Sequence, residues 1–205
     1  MAIDAKMVFD LRNRTGAGVV DCKTALEEAG GNVEQAIEVL KKKGAIKAAK
    51  KSAERQASEG IIVSYIHHNG KLGALLELAC ETDFVARTEE FKQLAQDLAL
   101  QVAAMDPTYV SPETIPAEEV EKKRQDFLAE LANDSKPEEI KQKIVEGKLN
   151  KWYSDVCLMK QSFIKNEEQT IEQLVTEKIA KIGEKIVPTR FQRLQMAQPT
   201  TSQTC

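Results

Sequence analysis

A chain of 205 residues, 42% of them hydrophobic, is long enough to bury a sizeable core without disulfides or a structural metal. Lys and Arg number 29 against 32 Asp and Glu, so the net charge of −3 supplies no field that would draw the chain onto nucleic acid or an anionic membrane, and a protein partner is expected. No basic stretch followed by an apolar core opens the sequence, no apolar run approaches the ~20 residues of a bilayer span, and the 4 cysteines (22, 80, 157, 205) lack CxxC spacing, so a cytoplasmic chain, or one of the equivalent organellar stroma or matrix, with reduced thiols is expected.

The first 44 residues predict three short helices. Asp4 caps one running to about Arg14, with Met7, Val8 and Leu11 on one face, and Thr15-Gly16-Ala17-Gly18 breaks it. The second carries Cys22, Ala25, Leu26 and Ala29 at helical spacing and ends at Gly30-Gly31. Asn32 caps the third, whose Val33, Ala36, Ile37 and Leu40 face inward until the Lys41–Lys43 run and Gly44 close it. Residues 45–59 are alanine-rich and basic and predict a linker helix. Its Lys47, Lys50, Lys51 and Arg55 are the residues that would meet phosphates, but Glu54 and Glu59 are interspersed and no aromatic is present to stack on a base, so a solvated face is the favoured reading.

At Gly60 the period changes from helical to two. Two apolar strands flank Asn69-Gly70, the signal for a type I′ hairpin, and that turn sets Ile61 opposite Leu78, Val63 opposite Leu76 and Tyr65 opposite Ala74. A helix from about Glu89 to Ala104 follows, with Phe91, Leu94, Ala95, Leu98 and Val102 on one stripe. Two charged amphipathic helices fit Ala117–Ala132 and Pro137–Lys148, and a last helix, Thr170–Lys185, precedes a third strand from Ile186 to Met196. The fold class is α+β: a three-helix N-terminal domain (1–44), a linker helix (45–59), and a core domain (60–196) in which a small three-stranded antiparallel sheet packs with helices. The tail from Ala197 has the composition of disorder.

No catalytic constellation emerges. His67 and His68, as neighbours at a strand end, are expected on opposite faces and so share no metal. Cys80 lies too far along the hairpin from His67 to form a nucleophile and base pair. The glycines at 16 and 18 follow a helix rather than a strand and lack the Lys-Ser/Thr of a phosphate loop. A non-enzyme without cofactor or metal is expected.

Two stretches resemble signatures of one family. Leu11-Arg12-Asn13-Arg14-Thr15-Gly16-Ala17-Gly18-Val19-Val20-Asp21-Cys22-Lys23-Thr24-Ala25-Leu26 is similar to the N-terminal signature of elongation factor Ts, and Glu81-Thr82-Asp83-Phe84-Val85-Ala86-Arg87 resembles its second. Gly44–Lys51 and Gln161–Lys165 add to a likeness spanning about residues 4–196. The resemblance implies a guanine-nucleotide exchange factor for elongation factor Tu in translation, with a ubiquitin-associated-like N-terminal domain. It implies that Arg12, Val19, Val20 and Lys23 bind the partner, and that Thr82, Asp83, Phe84 and Val85 intrude near the partner's magnesium site and loosen GDP. Phe84 as a core residue, Asp83 as support for a helix start, and one of Val19 and Val20 packed within the three helices are the alternatives the residues themselves leave open. Longer family members carry two related core modules; this chain has room for one, so two chains are expected to pair through their sheets into a homodimer that binds two partners. An adaptor built on a ubiquitin-associated domain, or an RNA-binding protein using the basic linker, are the competing readings; the first leaves Glu81–Arg87 without a role.

Overall fold

The computed structural model describes residues 3–132 and 136–196, without the side chains of 45 and 47–54; the tail expected from Ala197, with Cys205, lies outside the described residues. The chain divides into two compact units, one made of Met1–Gly60, Ala79–Thr88 and Gln173–Val187, the other of Ile61–Leu78, Glu89–Glu172 and Pro188–Cys205.

In the first unit, α1 (Ala5–Thr15) starts at Asp4, whose side chain accepts from the Lys6 N–H, and stops at Gly16, which takes φ 69° and donates its N–H to the Arg12 carbonyl. This left-handed stop is one that a residue without a Cβ adopts at little cost. Helix α2 (Val19–Glu28) ends before Gly30 and Gly31, both at positive φ. Asn32 accepts from the Gln35 N–H at 3.1 Å and opens α3 (Val33–Glu54). Val8, Leu11, Cys22, Ala25, Leu26 and Ala36 form the shared core, with Met7, Ala29, Val33, Ile37 and Leu40 packed against it, as the helical spacing predicts.

Gly44 does not close the third helix. Helix α3 runs unbroken to Glu54, so the helical part of the expected linker is the continuation of α3. A glycine inside a helix costs ~1 kcal/mol against alanine, and packing explains its presence: a Cβ at Gly44 would stand 3.2 Å from the Cβ of Ala180 on α8 (Ile171–Ile182).

The antiparallel sheet has the order β1-β2-β5, with β1 at Glu59–Ile66, β2 at Leu72–Cys80 and β5 at Ile186–Gln195. The His67 N–H donates to the Leu72 carbonyl at 2.8 Å, the opposition the hairpin register predicts. The turn itself is not type I′. That turn needs positive φ at both central residues, yet Asn69 has none; the Gly70 N–H closes onto the His67 carbonyl, and only Gly70 is left-handed. Along β2 the buried residues Ala74, Leu76 and Leu78 alternate with exposed Leu75 and half-buried Glu77.

The first unit also holds the short helix α4 (Asp83–Ala86); in the second, α5 (Glu89–Met105) buries Phe91, Leu94, Ala95, Leu98 and Val102. Helices α6 (Ala117–Glu130) and α7 (Glu138–Val156) pack on each other; α7 continues eight residues past the expected end at Lys148, burying Leu149 on the way. A two-stranded ladder, β3 (Ser162–Phe163) with β4 (Asn166–Thr170), has no counterpart in the sequence expectations. It is tied to α5 by buried Gln101, which donates to the Ser162 carbonyl and accepts from the Ile164 N–H at 2.9 Å. A buried amide needs such partners to repay its desolvation.

Candidate functional site

Every residue the sequence marks for a partner belongs to the first unit. At the α1–α2 corner, the Thr15 hydroxyl donates to the Leu11 carbonyl at 2.8 Å and accepts from the Ala17 N–H, while the buried Cys22 thiol donates to the Ala17 carbonyl. The loop between the glycines is thereby fixed from within, and α2 begins at a defined place. Its inward stripe starts at Cys22, so the two valines of its first turn lie ahead of the core: Val19 is 55% exposed and Val20 78%. Packing of either valine within the three helices is therefore not what the fold does with them. Arg12 is exposed and lines an open cleft with Asn13, Arg14, Thr15, Gly16 and Lys181, and Lys23 is exposed beside Glu27 at 4.0 Å. Arg12 on α1 and Val19, Val20 and Lys23 on α2 are thus all exposed, the last three within the first five residues of α2.

The second signature folds into a tighter object. Strand β2 ends at Cys80, and after Glu81 the chain turns into α4, a single turn of helix capped by Thr82. Phe84 is 78% exposed, so it is not a core residue. Asp83, one residue before it, pairs with Arg87 across one helical turn at 2.8 Å, and Val85 is half-buried.

Thr82 holds this turn in place. Its N–H and its hydroxyl both donate to the Glu184 carboxylate, at 3.1 and 2.7 Å, and the same hydroxyl accepts from the Val85 N–H. Its carbonyl accepts from the Cys80 thiol at 3.2 Å and from the Ala86 N–H. Burial pushes the Cys80 thiol above its usual range, with the Glu184 charge adding to the effect, so it stays protonated as a donor. Glu81 accepts from Arg55 Nη1 through each of its carboxylate oxygens at 3.1 Å and also accepts from the Lys185 N–H, while Lys185 Nζ donates to the Arg55 carbonyl at 2.9 Å.

Arg55, Glu81, Glu184, Lys185 and Arg87 thus belong to the site, and sequence reasoning assigned none of them a role there. Glu81 and Arg87 are the first and last residues of the second signature and were within reach of local reading. Glu184 meets Thr82 across 102 positions of chain, which no local pattern encodes.

The two histidines do not point to opposite faces. Strand β1 ends at Ile66, so both sit in the turn with ring centroids 4.2 Å apart, and the Tyr65 hydroxyl lies 3.0 Å from His67 Nδ1. Among the described residues no group of three or more His, Cys, Asp or Glu stands where it could hold a metal ion, and no helix is long and apolar enough to cross a membrane.

Comparison with known proteins gives a consistent result. The sequence model of the family described as Elongation factor TS matches residues 18–198. The chain is 51% identical over 198 residues, covering 97% of its length and 100% of the relative's, to a protein named Elongation factor Ts from Fervidobacterium nodosum. It is 52% identical over 196 residues to proteins of the same name from Carboxydothermus hydrogenoformans and Thermosipho melanesiensis, covering 90% and 100% of those chains.

Proposed function

The chain belongs to the elongation factor Ts family of translation elongation factors, and on that membership we propose that it is a guanine-nucleotide exchange factor that promotes GDP release from elongation factor Tu. The observation that carries this reading is the Phe84 ring, 78% exposed on a one-turn helix whose cap is bonded at every polar atom. An apolar ring held out in water on a braced support is costly for a free chain and useful against a partner.

The division of labour follows from the two patches. Arg12, Val19, Val20 and Lys23 supply affinity: two methyl-bearing side chains for an apolar contact, two cations for its rim. Thr82, Asp83, Phe84 and Val85 supply distortion, Phe84 entering the GTPase near its magnesium site and Asp83 placing a carboxylate beside it. Burying one phenylalanine yields ~1.5–3 kcal/mol, and each ~1.4 kcal/mol is tenfold in affinity, so the ring accounts for about one to two decades of weakened GDP binding, and the docking patch contributes the remainder. No bond is made or broken. If the factor weakens GDP, GDP weakens the factor equally, so the chain speeds equilibration and the cellular nucleotide ratio sets its direction. It is accordingly not an enzyme, and it works in the cytoplasm where ribosomes and their factors are.

We further infer a homodimer with two partners bound. The outward face of the sheet carries exposed Ile62 and Ile66 on β1, Leu75 on β2 and Leu194 on β5, with Met196 beyond it. Ile66 lies across Gly73, where an added Cβ would stand only 2.7 Å from its Cδ1. Antiparallel sheets ordinarily turn polar residues to water on their open face, and an apolar one fits a second copy.

The test is release of fluorescent GDP from purified elongation factor Tu with and without this chain: strong acceleration is expected, and an unchanged rate removes the exchange reading. Light scattering at micromolar concentration tests the dimer, which a mass equal to one chain removes.

A further inference from the structure

We propose that Glu184 is a positioning residue for exchange: by gripping the backbone and the side chain of Thr82 at once, it makes the Phe84 tip stiff enough to deform the partner. This rests on the exchange reading above and adds a residue that no signature of the sequence contains.

The geometry is specific. Glu184 lies in the three-residue link between α8 and β5, after Gly183, whose φ of 90° turns the chain out of the helix. Its two carboxylate oxygens are used separately, one for the Thr82 hydroxyl at 2.7 Å and one for the Thr82 N–H at 3.1 Å. A single residue held at two points cannot rotate about either bond. Thr82 is also the cap of α4, and its hydroxyl accepts from the Val85 N–H, so the grip passes directly into the helix that carries Phe84. Both bonds are made to an ionised acceptor, which strengthens them relative to neutral pairs.

The same link is fastened a second time, one residue to each side. The Lys185 N–H donates to Glu81 and the Arg55 guanidinium donates both to Glu81 and to the Gly183 carbonyl. The α8–β5 link is therefore bonded to the 81–82 turn at consecutive positions, Gly183 through Arg55, Glu184 and Lys185. Neither Glu184 nor Thr82 is exposed beyond an intermediate degree, so water competes only partly for these bonds.

Stiffness matters because the ring does work only if its support does not yield. A tip on a loose turn still buries its ring on docking, but it gives way instead of the partner, and binding free energy then goes into affinity rather than into distortion. Loss of the Glu184 grip should thus separate affinity from rate. Loss of Phe84 removes the contact itself, whereas loss of Glu184 leaves the contact and removes its rigidity.

The experiment compares wild type, Glu184→Gln and Glu184→Ala in fluorescent GDP release from elongation factor Tu across exchanger concentration, with dissociation constants for nucleotide-free elongation factor Tu measured alongside. The expected result is an order in maximal release rate of wild type, then Gln about 3-fold lower, then Ala about 10-fold lower, with dissociation constants equal within about 3-fold. Glutamine keeps the shape and one acceptor for Thr82, so its partial rescue separates positioning from bulk stability, and it carries the comparison if the alanine variant melts early. Variants with the wild-type maximal rate overturn this inference alone. So does a fall in affinity that matches the fall in rate. A wild-type chain that does not accelerate release overturns the exchange reading and this inference with it.

Discussion

The Arg87 guanidinium stands 2.8 Å from the Asp83 carboxylate, so the acidic residue next to Phe84 already has a partner within its own turn of helix. The pair is largely exposed on the Arg87 side, and an exposed pair at this spacing is worth ~0.3–0.5 kcal/mol. Its value to the tip is orientation: it fixes where the carboxylate points beside Phe84. Arg87→Ala is expected to lower the melting temperature by no more than about 1–2 °C and to slow GDP release several-fold; thermal melts and release kinetics on one preparation check both.

Phe84→Ala and Val20→Asp should fail in opposite ways. The Phe84 ring is already in water, so its removal leaves the core intact and the melting temperature unchanged. It should retain most binding to nucleotide-free elongation factor Tu while slowing accelerated GDP release by ~10–100-fold, the range a buried ring supports. Val20→Asp puts a charge on the apolar part of the proposed docking surface and should raise the dissociation constant at least about tenfold, leaving the maximal rate near wild type at saturating exchanger. Titration calorimetry and stopped-flow fluorescence separate the two.

Two glycines within helices predict opposite signs. Gly147 in α7 has nothing within 4 Å of where a Cβ would go, so Gly147→Ala should stabilise by ~1 kcal/mol through helix propensity alone. Gly44→Ala gains the same propensity but presses a methyl against the Ala180 Cβ at 3.2 Å, and that short side chain has no rotamer to escape into. Gly44→Ala is expected to be neutral or destabilising, by up to ~1 kcal/mol, and urea unfolding of both variants checks the contrast.

The Glu77 carboxyl is held below its ordinary value by hydrogen bonds from Thr189 at 2.6 Å and Arg190 at 2.7 Å, which join β2 to β5. Since the folded value lies below the unfolded 4.5, the stabilisation is present above pH 4.5 and disappears as pH falls through the folded value. Glu77→Gln should therefore melt below wild type at neutral pH, and the gap should close as pH drops below about 4.5. Melts recorded across that range test the sign, and a gap that stays constant contradicts it.

Local chemistry made much of this fold legible. The caps at Asp4 and Asn32, the left-handed stop at Gly16 and the 3.6-residue stripes of the first three helices and of α5 are each decided by residues within a turn of one another, and each is where the sequence places it. The failures lie where distant chain decides. Gly44 reads as a stop, and only the proximity of Ala180 shows why a glycine sits inside a continuing helix. Asn69-Gly70 reads as a two-residue turn, yet the register survives in a longer one closed from His67. The site divides the same way: Val19, Val20 and Phe84, singled out from sequence, are exposed rather than packed in the core, whereas the grip of Glu184 on Thr82 joins two segments whose own sequences give no sign of each other.

Helix α3 packs on α2, the helix that carries Val19, Val20 and Lys23, and ends one residue before Arg55, whose guanidinium donates to Glu81 next to Thr82. Its 22 residues form a shaft about 33 Å long. Because the shaft is unbroken at Gly44, the segment packed on α2 and the residue that leads into Arg55 belong to one continuous rod. On the proposed exchange reading, a hinge introduced at that glycine would separate partner docking from nucleotide release with every proposed contact residue untouched.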